Sequence, residues 1–204
     1  MQEMPQNNKQ INNKTNKLKE FYNKHFYLSL AVIGLVVILF SVLFDQITKI
    51  IAVNSLQFVG NSVPFIPGFI DFTLVYNTGA AWGIGGDNTA SRIILIIISW
   101  IVAVGLIGYF AYCYFKKKEV KLGLFIICSF IVGGDIGNLI DRTFFYDRGV
   151  IDFISIQSWW PNFGIFNIAD SILVCSIIAL IIYLIVNYIK EYINEKKRVD
   201  SKDE

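Results

Sequence analysis

The sequence has one histidine and three cysteines among its 204 residues, and only 17% of its residues are charged. The histidine, His25, stands beside Lys24 at the start of an apolar run. It lies at the end of that run opposite to where the acidic residues gather, so neither a histidine-based triad nor a zinc site is expected there. Cys113, Cys128 and Cys175 all fall inside apolar runs at no metal-like spacing and read as small hydrophobic packing residues. The scarcity of charge, set against 54% hydrophobic residues and a mean hydropathy of +0.53, excludes an ordinary soluble domain. The chain reads as an integral membrane protein.

Four segments are long enough to cross a hydrocarbon core, which takes about 20 mostly apolar residues in a helix. They are 26–44, 93–115, 122–140 and 171–189, the third with one charge, Asp135. The first resembles a cleavable leader because lysines precede it, but it exceeds the usual apolar length and ends in Phe-Asp-Gln without a small-residue cleavage pattern. It is read as a retained helix. Lysines 9, 14, 17, 19 and 24 precede the first helix, Lys116, Lys117, Lys118 and Lys121 bracket the second turn, and Lys190, Lys196, Lys197, Arg198 and Lys202 follow the last helix. The positive-inside rule then places both termini in the cytoplasm and the loops at 54–90 and 142–168 outside. The net charge of +2 is topogenic and gives no reason to expect nucleic acid.

Residues 1–25 are rich in Asn, Gln and Lys and are expected to form a disordered basic cytoplasmic arm, with 191–204 a charged cytoplasmic tail and 26–190 a single four-helix membrane unit. The expected class is therefore an all-α membrane protein with a small extracytoplasmic β-containing cradle between helices 1 and 2. That cradle comes from VPFIPGFIDFTLVYNTGAAWG, where Pro and Gly turn signals meet period-two alternation. Phe72, Leu74 and Tyr76 share one strand face, with Thr73, Val75 and Asn77 on the other. Trp159 and Trp160, just before Pro161, suit the lipid headgroup belt.

Ionisable residues inside a membrane are costly, so their placement is informative. All of them lie at the outer ends of the helices: Asp45 and Lys49 after the first, Asp135, Asp141 and Arg142 in or after the third, and Asp170 before the fourth. Asp45 and Lys49 are spaced i, i+4 and can pair on one helix face. In GGDIGNLIDR, Asp135, Asn138 and Arg142 share a face while Asp141 turns about 100° away from Arg142. Gly133, Gly134 and Gly137 allow close approach of a backbone or a ligand. Asp152 in VIDF and Asp170 in FNIAD are the remaining acids, and periodicity makes Asp170 a helix N-cap.

Five stretches together resemble the lipoprotein signal peptidases, the signal peptidase II family of bacterial membrane aspartyl proteases: DQITK at 45–49, YNTGAAWG at 76–83, GGDIGNLIDR at 133–142, VIDF at 150–153 and FNIAD at 166–170. The resemblance covers about residues 27 to 190. It implies a catalytic dyad of Asp152 and Asp170, although the Asp141–Arg142 pair could have been chosen from sequence alone. It implies supporting or substrate-binding roles for Asp45, Asn77, Asn138, Arg142 and Asn167, and Lys49, Gly79, Gly134 and Asp141, within the same motifs, are further candidates for such roles. No metal and no cofactor is implied. The implied substrates are diacylglyceryl-modified prolipoproteins, cut just before the lipidated Cys by an enzyme of the bacterial inner membrane whose site lies at the outer leaflet edge. The 54–90 loop becomes an interfacial cradle with the capacity of a lid. The chain departs from the family pattern at Asp135, where Ala is common, at Trp82, where Phe is common, and in its longer N-terminal arm. Membrane acids also mark the ion paths of small transporters and proton channels, but here they cluster at one face and the inner halves of the helices offer almost no ionisable residues; a non-catalytic scaffold would use Asp170 only as a cap.

Overall fold

The computed structural model describes the backbone of residues 6–79, 88–116, 118 and 120–200, and the side chains of these within 25–196 and at 198. In chain order the elements are α1 (Gln6–Leu56), β1 (Ser62–Ile66), β2 (Ile70–Asn77), α2 (Thr89–Lys116), α3 (Leu122–Phe144), β3 (Val150–Ser155) and α4 (Ile168–Asp200). Four helical stretches have the length and composition to cross a membrane: His25–Leu56, Thr89–Lys116, Leu122–Phe144 and Ile168–Lys196.

The helices run further than the apolar stretches alone suggest. α1 continues through Asp45 and Lys49, which therefore sit inside it and not beyond its end. Their charges do not stop the helix because they neutralise each other across one turn, Nζ to Oδ2 at 2.7 Å. The backbone of 6–24 continues the same helix, while the side chains of that arm, and Trp82, lie outside the described residues.

α3 is the centre of the bundle, packed against α1, α2 and α4. Its glycines make that possible. A Cβ on Gly133 would stand 2.7 Å from the Ser41 Cβ of α1, and one on Gly134 would stand 2.9 Å from the Ala169 carbonyl oxygen of α4. In lipid, apolar surface gains nothing by leaving hydrocarbon for protein, so close packing of small residues holds helices together. Gly134 thus serves a helix crossing.

The sheet has three antiparallel strands in the order β1-β2-β3. Pro67 and Gly68 supply the β1–β2 turn, in which the Phe69 N–H donates to the Ile66 carbonyl at 2.9 Å and Gly68 takes φ +74°, the pairing a type II turn needs. Along β2 the expected alternation holds: Leu74 is buried and packs with Phe72, Tyr76, Ile151 and Phe153 over Ala52 and Leu56 of α1. The cradle is not confined to the connection between the first two helices, because β3 comes from the α3–α4 connection. β3 is buried on both faces and shows no alternation to read. This sheet sets Asp152 beside the C-terminal parts of α1 and α3 and the start of α4.

Candidate active site

The first turn of α4 is built by reciprocal hydrogen bonds. The Asn167 Oδ1 accepts the Asp170 N–H at 2.9 Å, and the Asp170 Oδ2 accepts the Asn167 N–H at 3.1 Å. This is a capping box with Asn167 as the N-cap and Asp170 three residues on. Asp170 is therefore not the cap that periodicity suggested; the helix starts one turn earlier, because Asn167 has an oxygen to offer its free N–H groups. A further free donor, the Ala169 N–H, is met by the Asp45 Oδ1 of α1 at 2.9 Å. The remaining Asp170 oxygen, Oδ1, accepts from the Asn138 Nδ2 at 2.8 Å.

Asp152 lies on β3, opposite Val75 of β2, and is only 2% exposed. Its Oδ1 accepts from the Asn167 Nδ2 at 2.7 Å and its Oδ2 from the Asn77 Nδ2 at 3.0 Å. The Asn77 amide is held in that sense by the Gly79 N–H, which donates to its Oδ1 at 2.9 Å. Asn167 touches both acids, Asp152 through its side chain and Asp170 through its backbone. Burial raises the Asp152 carboxyl, the negative charge of Asp170 raises it further, and the amides of Asn77 and Asn167 and the Lys49 ammonium only partly offset this. The carboxyl is pushed up to about 7.

Behind the two acids sits a buried charge centre. Asp45, Lys49 and Asp141 are 0%, 1% and 1% exposed. The Lys49 ammonium reaches the Asp45 Oδ2 at 2.7 Å, the Asp141 Oδ2 at 2.8 Å and the Asn138 Oδ1 at 3.1 Å, which uses its three protons. Arg148 approaches the other Asp141 oxygen at 3.5 Å. Because the Asn138 oxygen faces Lys49 and Asn167, its NH2 must face Asp170. Asp141 points into this centre and not at the other two acids, as its turn away from Arg142 on the helix leads one to expect.

A cavity of about 450 Å³ opens over the acids. Asn77, Arg142, Asp152 and Asp170 form its polar side, and Val150, Phe163, Ile165, Leu173 and Val174 its apolar side. The Arg142 guanidinium lies close enough to Asp170 and Asp152 to act on their charges. Cys113 and Cys128 are buried, as packing residues should be, but Cys175 is exposed and lines the cavity, one helical turn beyond Ser171. Sequence reading missed Gln46, whose Nε2 donates to the Asp45 Oδ2 at 3.2 Å and to the Gly137 carbonyl at 3.0 Å, and the role of Arg148. Gln46 stands within DQITK, between two residues already singled out; nothing local marks Arg148. Asp135 does not line this cavity; it is buried on α3, within reach of the Arg142 charge.

The arrangement places two carboxyls that share a bridging asparagine in one cavity, in different environments and with a guanidinium beside them. Comparison with known proteins agrees with the motifs. The sequence profile described as Signal peptidase (SPase) II matches residues 37–186. A lipoprotein signal peptidase of Treponema denticola is 35% identical over 188 residues, covering 87% of this chain and 98% of that protein. A lipoprotein signal peptidase of Staphylococcus aureus is 34% identical over 177 residues, covering 86% and 98%. Among solved structures, a bacterial membrane enzyme at 34% identity superposes with a TM-score of 0.64 over 76% of this chain and 88% of that one. A second bacterial membrane enzyme, at 32% identity, gives a TM-score of 0.62 over 74% and 91%.

Proposed function

The chain belongs to the signal peptidase II family, and from that premise we propose that this multi-pass membrane protein removes signal peptides from prolipoproteins by an aspartic mechanism, with Asp152 and Asp170 as the dyad. The observation that carries the proposal is that these two acids line one cavity and are bridged by a single residue, Asn167. Asp170 is the ionised partner: each of its oxygens accepts an N–H, and it sits at the positive end of a helix. Asp152, pushed up to about 7, holds the proton. The Asp170 carboxylate takes a proton from water as that water attacks the scissile carbonyl, while Asp152 donates its proton to the carbonyl oxygen. On collapse of the tetrahedral intermediate the proton gained by Asp170 goes to the departing amine, and Asp152 recovers its own.

Arg142 and Asn77, on the polar side of the cavity, bind substrate carbonyl groups, and Arg142 does so with a planar fork of fixed donors. The apolar side, from Phe163 to Val174, takes the lipid chains of a diacylglyceryl-modified Cys. The active unit is 26–190, with the 1–25 arm and the 191–204 tail in the cytoplasm and the site at the outer edge of the bacterial inner membrane. Neither a transporter nor an inert scaffold is favoured by any relative found. In the experiment that tests the proposal, purified wild type, Asp152→Asn and Asp170→Asn proteins are given a lipidated prolipoprotein. Both variants are expected to lose cleavage while accumulating to near-normal levels in membranes. Substantial turnover by either one overturns the dyad.

A further inference from the structure

The buried charge centre behind the two acids does not balance by itself. Asp45 and Asp141 bring two carboxylates to the single ammonium of Lys49, and all three residues are buried to 1% exposure or less. A charge left uncompensated in such a place is costly and pulls on any partner within reach. Arg142 is next to Asp141 in sequence, but it lines the cavity together with Asp152 and Asp170. Among the described residues, the second cation at the centre is Arg148, whose Nη2 lies 3.5 Å from the Asp141 Oδ1, while Lys49 holds the Oδ2.

The local fold delivers Arg148 to this place. α3 ends in a tight turn in which the Phe145 N–H donates to the Asp141 carbonyl at 2.9 Å, and the Phe145 carbonyl accepts the N–H groups of Arg148 at 3.0 Å and Gly149 at 2.9 Å. The chain thus doubles back over its own helix end. The guanidinium lies 4.3 Å from the centroid of the Phe145 ring and 5.4 Å from that of Tyr76 on β2, distances at which an aromatic face attracts a cation. The turn is tied to α2 as well, since the Arg92 Nη1 donates to the Tyr146 carbonyl at 3.2 Å. The Arg148 side chain remains 30% exposed, so a residue open to solvent meets an acid that is not.

We propose that Arg148 is the second counter-ion of this centre and thereby a positioning residue for Asp170. With Arg148 on one oxygen of Asp141, Lys49 keeps a proton for the Asn138 Oδ1 at 3.1 Å, the longest of its three contacts. Without Arg148, Asp141 draws the ammonium to itself and that contact is the first to go. Asn138 then loses one of the two donors, Lys49 and Asn167, that orient its amide, and its NH2 no longer steadies the Asp170 Oδ1. Arg148 itself does not line the cavity. The proposal rests on the peptidase reading above, so its test includes a readout independent of cleavage.

The full chain is purified as wild type, Arg148→Met, Arg148→Lys, Asp141→Asn and the double variant Asp141→Asn/Arg148→Met. Each is assayed for cleavage of a lipidated precursor per folded molecule, and for Tm. Met keeps an apolar stem against the two rings and removes the charge; Lys keeps the charge. Arg148→Met is expected to lower turnover by about three- to tenfold and to lower Tm, a partly screened counter-ion counting for less than a fully buried one. Arg148→Lys should recover most of both losses, because a single contact at 3.5 Å calls for a charge and not for the planar fork. In the Asp141→Asn background one ammonium already balances one carboxylate, so Arg148→Met should cost nothing further. A loss of equal size in both backgrounds makes Arg148 a support for the turn alone and overturns the counter-ion, as does an Arg148→Lys as poor as Arg148→Met. Should Asp141→Asn be inactive, the Tm values decide: a shift from Arg148→Met that vanishes with Asp141→Asn supports the proposal, and one that persists, or none in either background, overturns it. Should Asp141→Asn fail to fold, the comparison of Lys with Met at 148 decides. If the wild type itself does not cleave, the peptidase reading fails on its own, and the same Tm comparison still rules for or against the counter-ion.

Discussion

At the scale of single residues, the informative contrast is between Asp152 and Asp170, two carboxyls served by the same asparagine and placed differently. Asp170 has a helix N-terminus at its back, whereas Asp152 is enclosed on a strand with no such dipole, and its carboxyl moves from 3.8 to about 7. Two consequences follow from the sign of that shift. Turnover that needs a protonated Asp152 falls as pH rises past about 7, so the pH–rate profile should have its alkaline limb there. Stability moves the same way: a carboxyl that holds its proton more tightly when folded favours the folded state at low pH, and this advantage is lost as pH rises from about 4 to about 7. The wild type is therefore expected to lose up to roughly 4 kcal/mol of stability over that window from this group, read as a falling Tm. In Asp152→Asn that slope should flatten, since an amide does not titrate. A slope unchanged in the variant assigns the titration to another group.

At the scale of elements, what was legible depended on how local the cause was. The β2 strand was readable because one face meets α1 and the other does not, which imposes alternation on Phe72, Leu74 and Tyr76. The Asp45–Lys49 pair was readable because both partners lie on one helix. β3 was not, being enclosed on both sides and paired with a strand more than seventy residues away. Nor was the third partner of Lys49, since the Asp141 contact joins α1 to α3 and no spacing encodes it. Asn167 was placed in the site by resemblance, but its capping of α4 follows from geometry that a list of polar residues does not contain. Gly149 shows the same limit at a turn. It takes φ +82°, and a Cβ there would stand 2.6 Å from the Asn77 carbonyl oxygen. Gly149→Ala should cost about 1–3 kcal/mol in backbone strain. It should also lower turnover beyond the loss of folded protein, because the residue pushed aside is the one whose amide donates to Asp152. Thermal unfolding and cleavage per folded molecule separate the two effects; a variant that is only less stable removes the link to Asn77.

At the scale of the whole molecule, apolar surface is exposed almost continuously along α2 and α4 and does not stop at the outer helix ends. It continues onto the hairpin and the loop beside it, where Phe58, Phe65, Phe69, Trp159 and Trp160 are all exposed. Phe69 and Trp159 stack with centroids 5.2 Å apart, and the Trp159 indole N–H donates to the Phe69 carbonyl at 3.0 Å. Aromatic rings with a polar tip prefer the headgroup level, and on the proposed reading the sheet rests against the bilayer with the apolar side of the cavity toward lipid. Leu173 and Val174 of α4 belong both to that cavity and to the lipid-crossing helix. On the proposed reading, a peptide bond next to an acylated Cys reaches the acids without its chains leaving hydrocarbon, whereas an unlipidated precursor must bring its polar backbone there unaided. The same precursor with and without diacylglycerol, presented in identical bilayers, should differ in kcat/KM by at least about tenfold in favour of the lipidated form. The difference should shrink when Val174→Asp puts a charge on the apolar wall, and equal rates for the two precursors remove lipid recognition from the cavity.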